Sequence, residues 1–208
     1  MGRIDSIEQL EALYRAPLDQ TRAKKKPRLD DGLRAALALS PFALLATADS
    51  TGRCDVSPRG GPPGFVKPLD DGRVAVPDLN GNNLLDSLRN IVLNPKAALL
   101  VLIPGQNETM RIDGAAHLST DDDLLARFTD ELRQPTLAVV IEIETVFTHC
   151  AKSFRRGGLW DPTSWPHPKR PPMLDARYRQ LNLERTFEEY AASNERVIRD
   201  DLAADKPM

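Results

Sequence analysis

Residues 57–95 read SPRGGPPGFVKPLDDGRVAVPDLNGNNLLDSLRNIVLNP, and this stretch decides the fold. The turn Asp70-Asp71-Gly72 lies between two extended runs, residues 65–69 and 74–76, which predicts a β-hairpin. The second run continues into a polar loop, and the apolar residues after that loop have helical spacing. The helix predicted there carries Leu84, Leu85, Leu88, Ile91 and Val92 and ends at Asn94-Pro95.

The loop between this strand and this helix, Asn80-Gly81-Asn82-Asn83, has the character of an anion site. The first turn of a helix has unpaired backbone N–H groups and a dipole that favours negative charge. Two asparagine amides and a glycine beside it suit a phosphate, with Arg59 and Arg89 as sources of charge. Two interpretations are open, a phosphate site or a capped helix start, and the loop alone favours the second.

The rest of the chain extends the β pattern in both directions. Apolar runs at residues 42–48, 96–103 and 137–147 and more polar runs at 53–59 and 108–118 predict six or seven strands joined mostly by short turns. Gly114 indicates a bulge or a close approach of chains. Helices are expected at residues 5–14, after a cap at Asp30 or Asp31, at 120–132 and at 174–202. The predicted class is mainly β with helices (α+β), an antiparallel barrel.

Composition excludes several classes of protein. The 208 residues are 41% hydrophobic, 28% charged and 5% aromatic, with a net charge of −2, so no overall field attracts nucleic acid. We expect the basic run at residues 22–26 to be a solvated linker. The sequence has no apolar run long enough for a membrane span and no signal peptide pattern, which predicts a cytoplasmic protein without membrane contact. Two distant cysteines and three scattered histidines predict neither a disulfide framework nor a metal site.

Residues 149–160, HCAKSFRRGGLW, form a dense basic and aromatic cluster. Arginine stacks on ring planes and forks to phosphates or carbonyls, so this cluster suits an anionic ring system. The Pro-rich stretch 161–172 is expected to be irregular. The amphipathic helices after it are expected to pack on their own domain or on a twin subunit.

In this order and spacing, the motifs resemble the pyridoxamine 5′-phosphate oxidase-like split-barrel flavoproteins. The resemblance covers about residues 41–148. It is carried by FALLAT at 42–47, the turn STG at 50–52, the strand end SPRG at 57–60, VPD at 76–78 with GNN at 81–83, NPKAALL at 94–100 and MRIDGAA at 110–116.

The resemblance implies an FMN-binding split barrel at residues 41–150, preceded by a helical segment (1–40). A C-terminal segment (151–208) would complete the site of a homodimer with FMN at the subunit interface. The phosphate would lie against residues 57–59 and Asn82-Asn83, and the C-terminal segment could cover the ring from the partner chain. The cofactor-binding residues predicted on this basis are Val56, Ser57, Pro58, Arg59, Pro77, Asp78, Asn82, Asn83, Arg89, Thr109, Met110, Arg111, Lys152, Ser153, Arg155 and Trp160.

The sequence also departs from the family pattern. The oxidases usually carry an Arg-Lys pair where this chain has Asn82-Asn83, and their C-terminal substrate signature of Arg and His is not recognisable. An FMN-dependent oxidoreductase, with NAD(P)H or another small molecule as substrate, is therefore predicted, with no catalytic residue identified. The alternative is a non-catalytic protein that binds flavin, heme or a deazaflavin. A third possibility is a structural dimer with an empty site.

Overall fold

The computed structural model describes residues 2–207, so the ends of the expected terminal segments 1–40 and 151–208, residues 1 and 208, lie outside it. Seven strands form the centre of the molecule: β1 (Phe42–Ala48), β2 (Cys54–Gly60), β3 (Lys67–Pro68), β4 (Arg73–Pro77), β5 (Lys96–Leu102), β6 (Thr109–Ser119) and β7 (Ala138–His149). The helices are α1 (Ile7–Glu11), α2 (Asp19–Ala23), α3 (Asp31–Leu39), α4 (Asp86–Leu93), α5 (Asp122–Ala126), α6 (Lys152–Gly157), α7 (Pro172–Leu181) and α8 (Phe187–Ala204).

All strand pairs are antiparallel, in one sheet of order β2-β1-β5-β6-β7-β4-β3. Strands β2 and β3 are its edges and do not pair with each other, so the sheet is open. This arrangement confirms the predicted α+β class with an antiparallel split barrel.

Hydrogen bonds to aspartate side chains within the turns stabilise the β1–β2 and β3–β4 hairpins. In the β1–β2 turn, the Asp49 carboxylate accepts hydrogen bonds from the backbone N–H groups of Thr51 (2.8 Å) and Arg53 (3.0 Å). In the β3–β4 turn, Asp70 accepts from Gly72 N–H at 2.8 Å. Both aspartates replace backbone partners that a tight turn cannot supply. The hairpin predicted around Asp70-Asp71-Gly72 is confirmed.

The main core lies on one face of the sheet, where β1, β5 and β6 bury every second residue along most of their length. The first four residues of β7 are all buried, because both faces of the sheet are covered there. Helices α3 and α4 cover the main core with Leu37, Leu88 and Ile91. A second, smaller cluster forms around Phe128 and Leu132 after α5. Burial of aliphatic side chains at about 25 cal/mol per Å² is the main stabilising contribution here.

Gly114 lies at a bulge between β6 and β7, as the sequence predicts. The register of the two strands shifts between Asp113 and Gly114. A Cβ atom at Gly114 would lie 1.8 Å from the carbonyl oxygen of Glu142, so only glycine fits this close approach.

The start of α4 differs from the sequence expectation. Asn83 and Leu85 have φ angles of 56° and 61°, in the left-handed region, so the helix begins at Asp86. Leu84 and Leu85 precede the helix and are exposed, and Val92 is 71% exposed on its outer face. Only Leu88 and Ile91 of the predicted apolar set are buried.

Several other helices differ in length from the prediction. Helix α1 is shorter than residues 5–14 and has no buried residue, and α5 ends at Ala126 rather than at 132. The cap of α3 is Asp30, which accepts from Leu33 N–H at 2.8 Å. The predicted C-terminal helical region forms two helices, α7 and α8. Helix α6 was not predicted, because basic residues and a Gly-Gly pair give no amphipathic period.

The N-terminal segment crosses the end of β7. Lys26 forms an isolated antiparallel bridge with Val146, through hydrogen bonds of 3.0 and 2.7 Å between their backbones. This bridge fixes the segment against the sheet before α3 begins. Within residues 2–207, no helix has both the length and the apolar character that a membrane span requires.

Candidate functional site

Of the residues predicted for the phosphate end of a flavin, all but Arg89 border one pocket of about 420 Å³. Its walls come from strand β2 and from residues 77–88, which connect β4 to α4. Strand β2 is one edge of the sheet, and β4 lies next to the other edge. The pocket therefore lies at the opening of the split barrel. We call it the loop pocket.

The loop conformation leaves the start of α4 available to a ligand. Asn82 Oδ1 accepts from Leu84 N–H at 3.0 Å, and the left-handed Asn83 and Leu85 then turn the chain into the helix. The residue at the helix start, Leu85, provides no side-chain cap. The first-turn N–H groups therefore lack the partner that Ser, Asp or Asn would supply, and they border the pocket at Asp86, Ser87 and Leu88.

Arg59 is the cation of the loop pocket. Its Nη1 donates to Ser57 Oγ (2.5 Å) and to the carbonyl oxygen of Pro58 (3.0 Å), which holds the guanidinium along β2. Burial lowers the pKa of Arg59, and the charges of Asp78 and Asp55 oppose this effect. Burial also raises the pKa of Asp78, and Arg59 opposes it. For both groups, desolvation therefore outweighs their mutual attraction.

A polar set of side chains fixes the helix against the strands. The Ser87 hydroxyl donates to Asp55 at 2.6 Å, and Asn90 Nδ2 donates to Thr47 Oγ1 at 3.0 Å. Ser87, Asn90 and Thr47 are buried, so these bonds satisfy groups that would otherwise be costly. They hold α4, and with it the loop, at a fixed distance from β1 and β2.

The balance of charge in the loop pocket is negative. Three carboxylates, Asp55, Asp78 and Asp86, line it with the single guanidinium of Arg59. Such a pocket binds a group with both donors and acceptors more readily than a bare anion. Any phosphoryl group here would depend on Arg59, the two asparagine amides and the backbone N–H groups of the helix start.

The remaining predicted residues lie in two other places. Thr109 and Met110 are buried at the start of β6 and border a groove of about 440 Å³ against α3. Its apolar lining is Ala35, Ala36, Leu39, Val101, Ile103 and Met110. Arg111 is exposed, and its Nε donates to Asp113 at 2.7 Å.

Lys152 and Arg155 line a third space, of about 440 Å³, where β7 passes into α6. We call it the basic cavity. Lys24, Glu108, Thr148, His149, Cys150 and Ala151 complete its wall. Ser153 is exposed on α6 outside this lining, and Trp160 Nε1 donates to the carbonyl oxygen of Gln106 at 2.6 Å.

The structure thus divides the predicted site residues into separate groups. The loop pocket brings together Val56, Ser57, Pro58, Arg59, Pro77, Asp78, Asn82 and Asn83. Arg89 lies on the exposed side of α4 and does not border the pocket. Asp55 and Ser87 were missed, although Asp55 is next to the predicted Val56 and Ser87 lies on the predicted helix. Lys24, Glu108 and His149 were also missed, and no local signal joins positions so far apart.

The fold and the loop pocket define a class of protein: an open antiparallel barrel with a polar pocket between the edge strand β2 and the residues that follow β4. The family described as pyridoxamine 5′-phosphate oxidase matches residues 29–150, which is more than half of the chain. The chain therefore belongs to the pyridoxamine 5′-phosphate oxidase family. Among curated proteins, none matches this chain.

Solved structures with a similar fold have low sequence identity to this chain. HupZ of Group A Streptococcus is 16% identical with a TM-score of 0.48, over 58% of this chain and 93% of that one. A putative pyridoxamine 5′-phosphate oxidase from Lactobacillus delbrueckii is 24% identical with a TM-score of 0.46, over 60% and 98%. HutZ, the heme storage protein of Vibrio cholerae, is 16% identical with a TM-score of 0.41, over 58% and 94%.

Proposed function

We propose that this chain is an FMN-binding flavoprotein of the pyridoxamine 5′-phosphate oxidase-like type, acting as an oxidoreductase on a small molecule. The observation that carries the proposal is the loop pocket, which lies between the edge strand β2 and the residues that follow β4 and combines an uncapped helix start with a guanidinium and carboxylates. A flavin nucleotide needs all of these, because it joins a phosphate, a polyhydroxyl chain and a ring with both donor and acceptor atoms.

The phosphoryl group belongs at the helix start. Asn82, Asn83 and the first-turn N–H groups of α4 supply neutral donors, and Arg59 supplies one charge. The exposed Arg89 can add a second charge only through a change of side-chain conformation. This cradle uses amides where the oxidases have an Arg-Lys pair, so its affinity for phosphate depends on geometry more than on net charge.

The carboxylates of the pocket suit the middle of the nucleotide. Asp55 and Asp78 are acceptors, and the hydroxyl groups of a ribityl chain are donors. The backbone of residues 56–59 on the edge strand β2 offers unpaired N–H and C=O groups to the ring edge. When bound, the flavin supplies hydride chemistry, and the protein supplies orientation and charge.

The second face of the ring is assigned to a partner subunit. Thr109, Met110 and Arg111 on β6 and the segment from Lys152 to Trp160 do not border the loop pocket of their own chain. In a homodimer they would approach the flavin bound by the other subunit. We therefore propose a homodimer with two FMN sites at the subunit interface. Its proposed location is the cytoplasm.

The absorption spectrum of the purified full-length protein tests the proposal. We expect flavin bands and release of FMN on heating, followed by bleaching when NADH or NADPH is mixed in. Flavin bands without bleaching by any donor would favour the non-catalytic alternative. A heme spectrum, or colourless protein that takes up no added FMN, would contradict the proposal.

Removing the asparagine amides tests the position of the phosphate. The double variant Asn82→Ala/Asn83→Gly keeps the left-handed backbone at position 83 but loses both amides. We expect FMN affinity to fall at least tenfold, since hydrogen bonds to charged groups contribute about 1.5–3 kcal/mol each. Arg59→Gln should produce a smaller loss, measured by fluorescence titration. Arg53→Gln, an exposed arginine just before β2, is the control.

A further inference from the structure

We propose that the basic cavity binds the anionic group of a small amphipathic molecule through Lys24, Lys152 and Arg155 around His149. That this molecule is the substrate rests on the proposed function; the anion site itself does not. Nothing in the loop pocket contributes to this cavity, because the two spaces share no residue.

Positive charge dominates the basic cavity. Lys24, Lys152 and Arg155 line it, and among residues 2–207 Glu108 is the only carboxylate in its lining. A further cation, Lys25, lies 5.3 Å from the centroid of the Phe147 ring, on which His149 stacks, whereas Arg111 is paired with Asp113 at 2.7 Å. A concave site with this excess of cations raises the local concentration of anions.

Lys24 is placed in the cavity by the fold. The backbone bridge between Lys26 and Val146 fixes its segment, and its Nζ donates to the carbonyl oxygen of Thr148 at 2.8 Å. An ammonium has three donors, so two remain for a ligand. The N-terminal segment is therefore part of the site.

His149 carries an unsatisfied group in the same wall. Its Nε2 is buried and, within residues 2–207, has no hydrogen-bond partner. The ring stacks on Phe147 at 4.7 Å, which fixes its plane. Burial lowers the pKa of His149, helped by the charges of Arg111, Lys24 and Lys25 and opposed by Asp113, and so favours the neutral ring. An unsatisfied buried nitrogen is costly, and a hydrogen bond to a ligand or to water would remove that cost.

The apolar groove beside the basic cavity indicates the chemistry of the other half of the ligand. Glu108 and Thr148 border both spaces, so the groove continues from the cations. Its lining is mainly alanine, leucine, valine, isoleucine and methionine side chains of α3, β5 and β6. A ligand with an apolar or aromatic body and a carboxylate or phosphate at one end matches this sequence of surfaces.

Titration calorimetry on the FMN-saturated full-length protein tests the inference, with benzoate, phenyl phosphate and benzyl alcohol as probes. We expect both anions to bind and the neutral alcohol to bind at least tenfold more weakly. The ratio of the two anions distinguishes a carboxylate site from a phosphate site. In protein labelled with ¹⁵N-histidine, the His149 signals, assigned with His149→Gln, should shift on binding. Equal affinity for benzyl alcohol or an unmoved His149 signal would overturn the inference.

The variant Lys152→Gln/Arg155→Gln should weaken binding of the anionic probes about tenfold or more. Arg156→Gln is the matched control, since Arg156 lies on the same helix, is exposed and does not line the cavity. Equal weakening by Arg156→Gln, or unchanged affinity in the double variant, would overturn the inference.

FMN binding, measured in parallel, separates this inference from the proposed function. If FMN displaces the probes from flavin-free protein, the cations hold the flavin phosphate. This inference then fails while flavin binding stands. If the wild type takes up no FMN but binds the anions with the expected loss in the double variant, the proposed function fails and the anion site stands.

Discussion

Gly114 is a single residue on which the pairing of two long strands depends. Gly114→Ala would place a methyl group 1.8 Å from a backbone oxygen, so β6 and β7 must separate locally. We expect the free energy of unfolding to fall by about 3 kcal/mol, in the range of overpacked cores. Gly157→Ala, where nothing lies within 4 Å, should change it little. Denaturant unfolding of both variants measures the difference, and similar values for the two would contradict the assigned close approach.

Asp78, a carboxylate of the loop pocket, makes the stability of the protein depend on pH. Because burial raises its pKa above 3.8, the folded chain binds this proton more tightly than the unfolded chain does. Stability therefore falls as the pH rises from 3.8 through the pKa of the folded state. We expect Asp78→Asn to be more stable than the wild type at pH 7, with the gain shrinking as the pH falls to 3.8.

Urea unfolding of both proteins across this pH range measures the effect. Asp86→Asn removes an exposed carboxylate from the same pocket and controls for the loss of charge. If Asp78→Asn is the less stable protein at pH 7, the attraction of Arg59 outweighs desolvation.

At the scale of elements, two neighbouring aspartates at the start of α3, Asp30 and Asp31, can be compared as helix caps. Asp30 accepts from Leu33 N–H, whereas Asp31 is the first residue of the helix and caps nothing. Since α3 carries the fully buried Leu37 into the core, loss of its cap should destabilise the whole chain. We expect Asp30→Ala to lower the free energy of unfolding by about 1 kcal/mol.

Asp31→Ala should cost little when measured at high salt, where its interaction with the helix dipole is screened. Thermal unfolding of the two variants in the same buffer compares them. A larger loss for Asp31→Ala would assign the cap to the wrong residue.

The sequence predicts those elements whose signals are local. The strands and their turns follow from alternation and from Asp-Gly and Ser-Thr-Gly turn chemistry, and Gly114 marks its own bulge. The start of α4 could not be predicted, because a leucine with φ of 61° is held there by its surroundings and not by its own propensity. The loop pocket was largely predicted because β2 and the 77–83 loop carry recognisable motifs. The basic cavity was predicted in part, because residues 149–160 stand out as a basic and aromatic cluster. Lys24 and Glu108 were not predicted, since they reach this cluster only through the Lys26–Val146 bridge and the pairing of Thr109 with His149.

At the scale of the molecule, the open sheet explains why the predicted site residues fall into separate groups. The loop pocket lies between the edge strand β2 and the residues after β4, while β6 and the end of β7 lie in the middle of the sheet and border the groove and the basic cavity. One chain therefore presents the loop pocket and, separately, the groove with the basic cavity beside it. In a dimer, a second copy can bring the groove of one chain to the loop pocket of the other.

The edge strand β2 carries exposed apolar side chains that would be buried in the proposed dimer. Val56 on β2 is 61% exposed, and the neighbouring exposed side chains of Leu84 and Leu85 are apolar. An uncovered edge with apolar side chains is normally paired or buried. In sedimentation velocity we expect FMN absorbance to move with a particle of twice the 23.1 kDa chain mass. Dilution that dissociates the dimer should release FMN in parallel, because each site would lose the half that the partner supplies. A monomer that keeps its flavin at every concentration would contradict a shared site and leave the loop pocket as the complete cofactor site.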